Sequence, residues 1–319
     1  MNHQIESYLR ATLRPPGSVL TCGMGKQVVI YGASGFIGGG LAGMLAAEGY
    51  EIVGVSRKGE GSVKGVSSWV KPEAVDLRGC SAVINLAGAP IDQRWTVARK
   101  KEFHASRVGV TEDIVARIAA LPAAERPEVL LNGSAVGFYG DGGNAVLTEE
   151  ASVGEGYLAE LCDAWEKAAL PAEKLGVRTI LLRTGVVLGK GGQAFEKLMT
   201  VFKLGIGGRL GNGKQWMPWI HIDDLRAAIL YCLREKTITG AVNGTAPEPE
   251  TNAALTRKLA KAVGRWEFLP VPGIALKLLL GGFGGFLLAS QRAVPAKLID
   301  AGFRLQYPTL DDALRDLTA

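Results

Sequence analysis

The chain has 319 residues, of which 47% are hydrophobic and 21% charged, and a formal net charge of +5. That allows one large domain or two modest ones around a sizeable core, and it excludes wholesale disorder. The basic residues are scattered, with no run longer than Arg99-Lys100-Lys101; this argues against a nucleic-acid partner and suits an anionic nucleotide.

The first 25 residues differ in character from the rest of the chain. Met1 to Thr21 lacks the apolar core of about 7–15 residues that a secretory signal needs, and Met24-Gly-Lys stands just before the first strand-like run. Residues 1–25 read as a disordered leader or the product of an upstream start, with organelle import left open. Cys22, Cys80, Cys162 and Cys232 are far apart and form no CxxC pair. They read as free thiols in a reducing compartment, expected to be the cytoplasm, and not as a disulfide frame or a metal site.

Gln27 to Gly38 reads Gln-Val-Val-Ile-Tyr-Gly-Ala-Ser-Gly-Phe-Ile-Gly. Val28 to Tyr31 has no polar break, as in a strand buried on both faces of a parallel sheet. Gly32, Gly35 and Gly38 follow at a spacing of three, and Phe36 to Glu48 carries apolar residues at helical spacing. Strand, glycine turn and helix together predict a phosphate site. Gly32 permits the tight turn, Gly35 the approach of a pyrophosphate, and Gly38 close packing of helix on strand. The helix N-terminus, with Ser34, Phe36 and Ile37 around it, offers free N–H groups.

Glu51 to Ser56 predicts a second strand. About 20 residues past the glycines, an acidic residue would select NAD by binding the ribose hydroxyl. Here stand Ser56, Arg57 and Lys58, and two cations with a hydroxyl suit the extra phosphate of NADP(H). The alternative is a solvated loop. Residues 59–80 show little pattern and read as a crossover. Ala82 to Gly88 is a third buried strand, and the small residues at its end, Leu86-Ala87-Gly88, let a cofactor lie close. A long helix is predicted from Thr96 to Ala120. Its start holds Glu102, His104 and Arg107; Arg107 could reach a cofactor phosphate, but on periodicity alone the three belong to a solvated face.

Val129 to Gly133 predicts the next strand, running into Ser134-Ala-Val-Gly-Phe-Tyr-Gly. A helix over Glu155 to Lys174 and a strand over Val177 to Leu182 follow. Alternation of strand and helix to this point predicts an α/β doubly wound parallel sheet. Past residue 190 the grammar changes. A helix is expected over Ala194 to Leu204 and a glycine-rich loop over Gly205 to Gly213. Asp223 or Asp224 would cap a helix reaching Arg234. Gly240 to Thr245 is expected to return to the sheet, and Thr251 or Asn252 to cap a helix reaching Val263. Pro270 to Ala319 reads as a small helical lobe. Leu278 to Ala289 is too short to span a bilayer and is read as a buried helix or helix–turn, so no membrane partner is expected.

Several blocks together resemble a known family. They are Gly-Ala-Ser-Gly-Phe-Ile-Gly, Val-Ser-Arg-Lys, Ile-Asn-Leu-Ala-Gly, Ala-Ser-Arg at 105–107, Arg-Thr-Gly-Val-Val-Leu-Gly, Pro-Trp-Ile-His-Ile-Asp-Asp-Leu and Asn-Gly-Thr-Ala-Pro. The chain resembles the extended short-chain dehydrogenase/reductases, in the atypical branch called epimerase family proteins. The resemblance covers residue 26 to the end. It implies a Rossmann domain over 26–190, with a returning segment near 219–245, that binds NADP(H), and a smaller, mainly helical C-terminal lobe over 191–319 that closes on a small-molecule substrate. Carried over by motif, the cofactor contacts would be the glycine loop, Ser56, Arg57, Leu86, Ala87, Glu102, Arg107 and Val187.

The chemistry departs from the family pattern. Most of the superfamily uses a Ser or Thr, a Tyr, and a Lys four residues after the Tyr, the Lys lowering the pKa of the Tyr. The Tyr position matches Tyr157, but four residues on stands Leu161, and the Ser position falls on Ala135, beside Ser134. Substitute groups are Ser134 and Tyr139, on the loop expected to line the nicotinamide pocket, and His221. His221 is either a base near neutral pH or a hydrogen-bonded structural histidine behind the cleft. The expectation is an NADP-dependent oxidoreductase or epimerase acting on a carbonyl or alcohol. The alternative is a non-catalytic NADP(H)-binding sensor or scaffold.

Overall fold

The computed structural model describes residues 27–267 and 270–319. The leader reading of residues 1–25, with Cys22, lies outside the described residues. In chain order the strands and helices begin β1 (Gln27–Tyr31), α1 (Phe36–Ala47), β2 (Glu51–Val55), β3 (Ser68–Val70), β4 (Ala82–Asn85) and α2 (Val97–His104). A π-helical turn, Ala105–Gly109, joins α2 to α3 (Val110–Ala120). Then come β5 (Val129–Ala135), β6 (Val146–Leu147), α4 (Tyr157–Ala169), α5 (Pro171–Lys174), β7 (Arg178–Thr184), β8 (Val186–Leu188) and α6 (Gln193–Lys203). The remainder is β9 (Trp216–Met217), β10 (Trp219–His221), α7 (Ile222–Arg234), β11 (Gly240–Gly244), β12 (Glu250–Thr251), α8 (Asn252–Ala262), α9 (Gly273–Leu280), α10 (Gly282–Phe286), β13 (Arg292–Ala293), α11 (Ala296–Asp300) and α12 (Leu310–Thr318).

Seven strands form one parallel sheet in the order β11-β7-β5-β4-β1-β2-β3. Alternate residues of one strand feed opposite layers. Val28 and Ile30 pack with Leu41, Leu45 and Ile229 under α1 and α7, whereas Val29 and Tyr31 pack with Ile114 and Ile118 under α3. This double burial is why β1 reads as an unbroken apolar run. The chain runs outward through β2 and β3 on one side of β1, then through β4, β5, β7 and β11 on the other. The reversal leaves a crevice between β1 and β4 at the carboxyl ends of the strands, where ligands of such sheets bind. A smaller helical lobe, with Phe195, Met199, Trp219, Leu255, Leu259 and Leu314 at its core, stands beyond that edge.

The structure differs from the sequence expectations in five local features. The patternless 59–80 stretch contains β3, a three-residue edge strand pairing with β2. The helix expected over 96–120 is interrupted by the π turn. The helix expected over 155–174 starts only at Tyr157, after Gly156 at φ 96°, and breaks before Pro171. Neither Asp223 nor Asp224 caps α7: His221 does, its side chain accepting from the Asp223 N–H. Leu278 to Ala289 is a helix–turn and is not buried throughout, since Leu278 and Leu279 are 69% and 72% exposed. At α8 the cap is Thr251, which accepts from the Ala254 N–H. Among the described residues no helix is long and apolar enough to cross a membrane.

Candidate nucleotide and substrate site

The glycine turn sits at the crevice. Gly32 has φ 81°, and a Cβ there would lie 2.8 Å from the Leu86 carbonyl oxygen at the end of β4. A Cβ on Gly38 would overlap the Gly32 carbonyl oxygen, so the helix seats on the turn only because this position is bare. Gly35 donates to the Gly32 carbonyl at 2.9 Å and precedes α1, whose first turn carries no side-chain cap and no acidic residue. The N–H groups of Phe36, Ile37 and Gly38, with exposed Ser34 beside them, are thus open to an anion. Arg226 of α7 braces this turn. Its guanidinium donates to the carbonyls of Phe36 (2.7 Å) and Ile37 (3.3 Å) and pairs with Asp223 at 3.1 Å.

At the end of β2, the Ser56 hydroxyl donates to the Glu60 carbonyl (2.8 Å) and accepts from the Glu60 N–H (3.1 Å), which shapes the loop. Arg57 and Lys58 on that loop are exposed and form no ion pair among the described residues. Two unpaired cations beside a shaped loop fit a phosphate better than a ribose hydroxyl.

The end of β4 is organised by a residue that the sequence reading passed over. Asn85 is fully buried; its amide donates to Asn132 (2.8 Å) and Thr111 (3.0 Å), and its oxygen accepts from the Ala87 N–H at 3.2 Å. This fixes the path of Leu86, Ala87 and Gly88. The available signal was a carboxamide inside an otherwise apolar strand, Ala-Val-Ile-Asn. Thr111 also bonds the Arg107 carbonyl (2.8 Å), inside the π turn, and accepts from Trp165 at 3.0 Å.

The π turn directs Arg107 back onto β4. Its guanidinium carbon would be 3.0 Å from a Cβ on Gly88, Nη2 donates to the Ala89 carbonyl (3.0 Å), and the Trp165 ring lies 5.3 Å away. Nη1 is buried without a hydrogen-bond partner. Burial pulls the guanidinium pKa down, although it stays cationic. A buried donor aimed at the crevice and left unmatched by protein fits an anionic ligand. Glu102, by contrast, pairs with Arg99 at 2.7 Å on the outer face of α2. Val187 lies in β8, opposite Ile220 of β10.

The catalytic candidates do not converge. Tyr157 is half-buried at the start of α4, and its hydroxyl donates to the Lys100 carbonyl at 3.2 Å. Burial, together with Glu160, raises its pKa above 10.0, and the opposing pull of Arg107 does not reverse this. Leu161, at the position of the usual lysine, is buried. Ser134 and Tyr139 belong to a buried network. Ser134 donates to Glu166 at 2.6 Å, Arg183 makes a two-pronged bond to the same carboxylate at 2.8 Å on each arm, and Arg183 also reaches the Tyr139 hydroxyl (3.1 Å). Tyr139 in turn donates to Asn243 at 2.7 Å, and burial raises its pKa. His221, 1% exposed, caps α7 through Nδ1, faces Asp316 at 3.3 Å through Nε2 and packs on Tyr307 at 4.0 Å with the rings tilted by 40°.

An aromatic wall packs against the buried Phe103, Leu158 and Trp165. Trp95, from the loop after β4, lies 5.3 Å from Tyr157 and 6.3 Å from Phe283 of α10, and Phe286 stacks 6.3 Å from Phe283. The Trp95 N–H is satisfied by the Ile91 carbonyl (2.9 Å), and a side chain on Gly282 would overlap the Trp95 ring. The bare Gly281-Gly282 turn is what lets the C-terminal lobe seat there.

Comparison with known proteins agrees with this geometry. The NAD dependent epimerase/dehydratase family matches residues 28–243, and a domain of unknown function, DUF1731, matches residues 271–317. The chain is 39% identical over 297 residues to the chloroplastic epimerase family protein SDR39U1 homolog of Arabidopsis thaliana, covering 90% of this chain and 85% of that protein. It is 34% identical over 300 residues to human epimerase family protein SDR39U1, covering 92% and 100%. A crystal structure of the human protein (isoform 2) with NADPH superposes with a TM-score of 0.83, at 32% identity, over 92% of this chain and 99% of that one. With a parallel seven-stranded sheet, the glycine turn at its switch point and relatives matched over nearly their whole length, the chain belongs to the NAD dependent epimerase/dehydratase family, among its SDR39U1-type epimerase family proteins.

Proposed function

We propose that this protein binds NADP(H) in the crevice between β1 and β4 and works as an oxidoreductase or epimerase on a small carbonyl or alcohol compound held under the C-terminal lobe. The observation that carries the reading is the set of unmatched donors around one crevice: the bare N-terminus of α1, the cations Arg57 and Lys58, and the buried Nη1 of Arg107. The human relative's crystallisation with NADPH supports the cofactor choice. In this reading the amides of α1 hold the pyrophosphate, Arg57 and Lys58 hold the 2′-phosphate, and Asn85 keeps Leu86 to Gly88 low enough for the ligand to lie over them. Bound nicotinamide supplies or accepts hydride. The lobe turn at Gly281-Gly282 excludes water from that end. We place the protein in a reducing compartment, on its three buried free thiols, Cys80, Cys162 and Cys232.

Fluorescence titration with NADPH tests the reading. Saturable binding, tighter than for NADH, is expected, and Arg57→Ser with Lys58→Ser should weaken NADPH about tenfold or more while leaving NADH within about twofold. Failure of NADPH to bind ends the proposal. A second reading, a sensor or scaffold without turnover, is favoured by one observation: the Tyr157 hydroxyl is spent on the Lys100 carbonyl, with no lysine at position 161. NADPH consumption across a panel of carbonyl compounds separates the two.

A further inference from the structure

We propose that the substrate is a quinone, a flat, conjugated dione reduced by two electrons without an acid from the protein. The inference rests on the NADP(H) reading above and names the substrate class of that same site. Two independent features lead to it. The first is the wall of the cleft. Trp95, Tyr157, Phe283 and Phe286 are each half-buried, so part of each side chain is accessible, and they are drawn from a β4 loop, a helix start and the C-terminal lobe. Such rings bind a planar conjugated ring by offset or edge contacts. A sugar would need convergent polar groups there instead.

The second feature is the disabled acid. Reduction of an ordinary ketone leaves an alkoxide about as basic as the anion of water, whose pKa is about 15.7, so it must be protonated as it forms. Tyr157 donates to the Lys100 carbonyl and Ser134 to Glu166. Both hydroxyl protons are taken up by protein acceptors. A quinone removes the need. When one of its carbonyl oxygens takes the hydride, the C–H bond of the reduced nicotinamide breaks, an O–H bond forms, the ring becomes aromatic and the negative charge rests on the other oxygen as a phenolate, the conjugate base of a phenol with pKa about 10. That anion survives long enough to take its proton from water. The balance is quinone plus NADPH plus one solvent proton, giving hydroquinone plus NADP+. The ammonium of Lys100, 4.2 Å over the Tyr157 ring and in no ion pair among the described residues, supplies positive charge where that anion forms.

The probe is 2,3-dimethyl-1,4-naphthoquinone, whose substituted ring positions block addition of thiols. Equilibrium dialysis against the full chain with NADP+ present reads binding without turnover. Saturable retention is expected, weakened about tenfold by Trp95→Ala and by Phe283→Ala, two variants on separate elements so that misfolding of one does not decide the result. NADPH titration of the same variants should stay within about twofold of the parent. NADPH oxidation by the probe should fall with Lys100→Met. If NADPH binds but the quinone is neither retained nor reduced, this proposal is overturned and the cofactor reading stands. If Lys100→Met leaves turnover of the quinone unchanged, the charge argument is wrong and the proposal falls with it. If NADPH itself does not bind, both fall together.

Discussion

Among single residues, Arg107 is one of four described residues that bury a side-chain polar atom without a hydrogen-bond partner. A guanidinium with a buried, unmatched N–H costs folding free energy, on the order of 1–3 kcal/mol for the orphaned donor. Arg107→Met should therefore leave the ligand-free melting temperature unchanged or higher, while raising the NADPH Kd about tenfold; thermal melts with and without NADPH read both. A purely structural arginine would give the opposite result, a lower melting temperature and an unchanged Kd. Arg107 also shows what periodicity misses. Its spacing assigns it to a solvated face, because helical wheels assume 3.6 residues per turn, and the π turn rotates it onto β4. The blocks resembling the short-chain family, unlike the periodicity, pointed to it.

At the scale of elements, strand β5, helix α4 and strand β7 are joined by the Ser134–Glu166–Arg183 network. Both charged side chains are 6% exposed, so their desolvation is large and is offset only while the pair is intact. Burial alone would lower the Arg183 pKa, but its bonds to Glu166 hold it above the ordinary value. Glu166→Leu should cost about 3–5 kcal/mol in urea melts by stranding the guanidinium, and adding Arg183→Met should recover much of that loss. None of this pairing was legible in sequence, since the partners lie 17 and 32 residues apart. What was legible were the elements whose burial is uniform, β1, β4 and β7, and the glycine turn, whose backbone needs leave a residue signature. The edge strand β3 was missed because three half-exposed residues carry no period. The α7 cap was misassigned because two aspartates follow a histidine that does the same work. The exposed Leu278 and Leu279 look buried in sequence, because an apolar run carries no sign of which face it turns to solvent.

For the whole molecule, the doubly wound parallel sheet was legible from the alternation of elements and the resemblance, while its strand order and the aromatic wall needed the fold, which brings residues 95, 157 and 283 together. A global prediction concerns alkali. Burial pushes the thiol of Cys80 up to about 11 and those of Cys162 and Cys232 up to about 12, from 9.0. A thiol whose folded pKa is raised keeps its proton in the native state after the unfolded chain has lost its own. Stability should therefore be whole below pH 9 and fall as pH climbs from 9 towards 11–12, by about 1.4 kcal/mol per thiol per unit in the limiting slope. Urea melts from pH 8 to 10.5 should show this, and alanine at the three positions should flatten the slope. The bracing of the glycine turn by Arg226 has a consequence of its own. Because that guanidinium reaches from α7 to two carbonyls beside the amides proposed to hold phosphate, any shift of the outer helix reorients those dipoles. Occupancy at the mouth of the sheet and the posture of its flank are thus thermodynamically reciprocal, each setting the strength of the other.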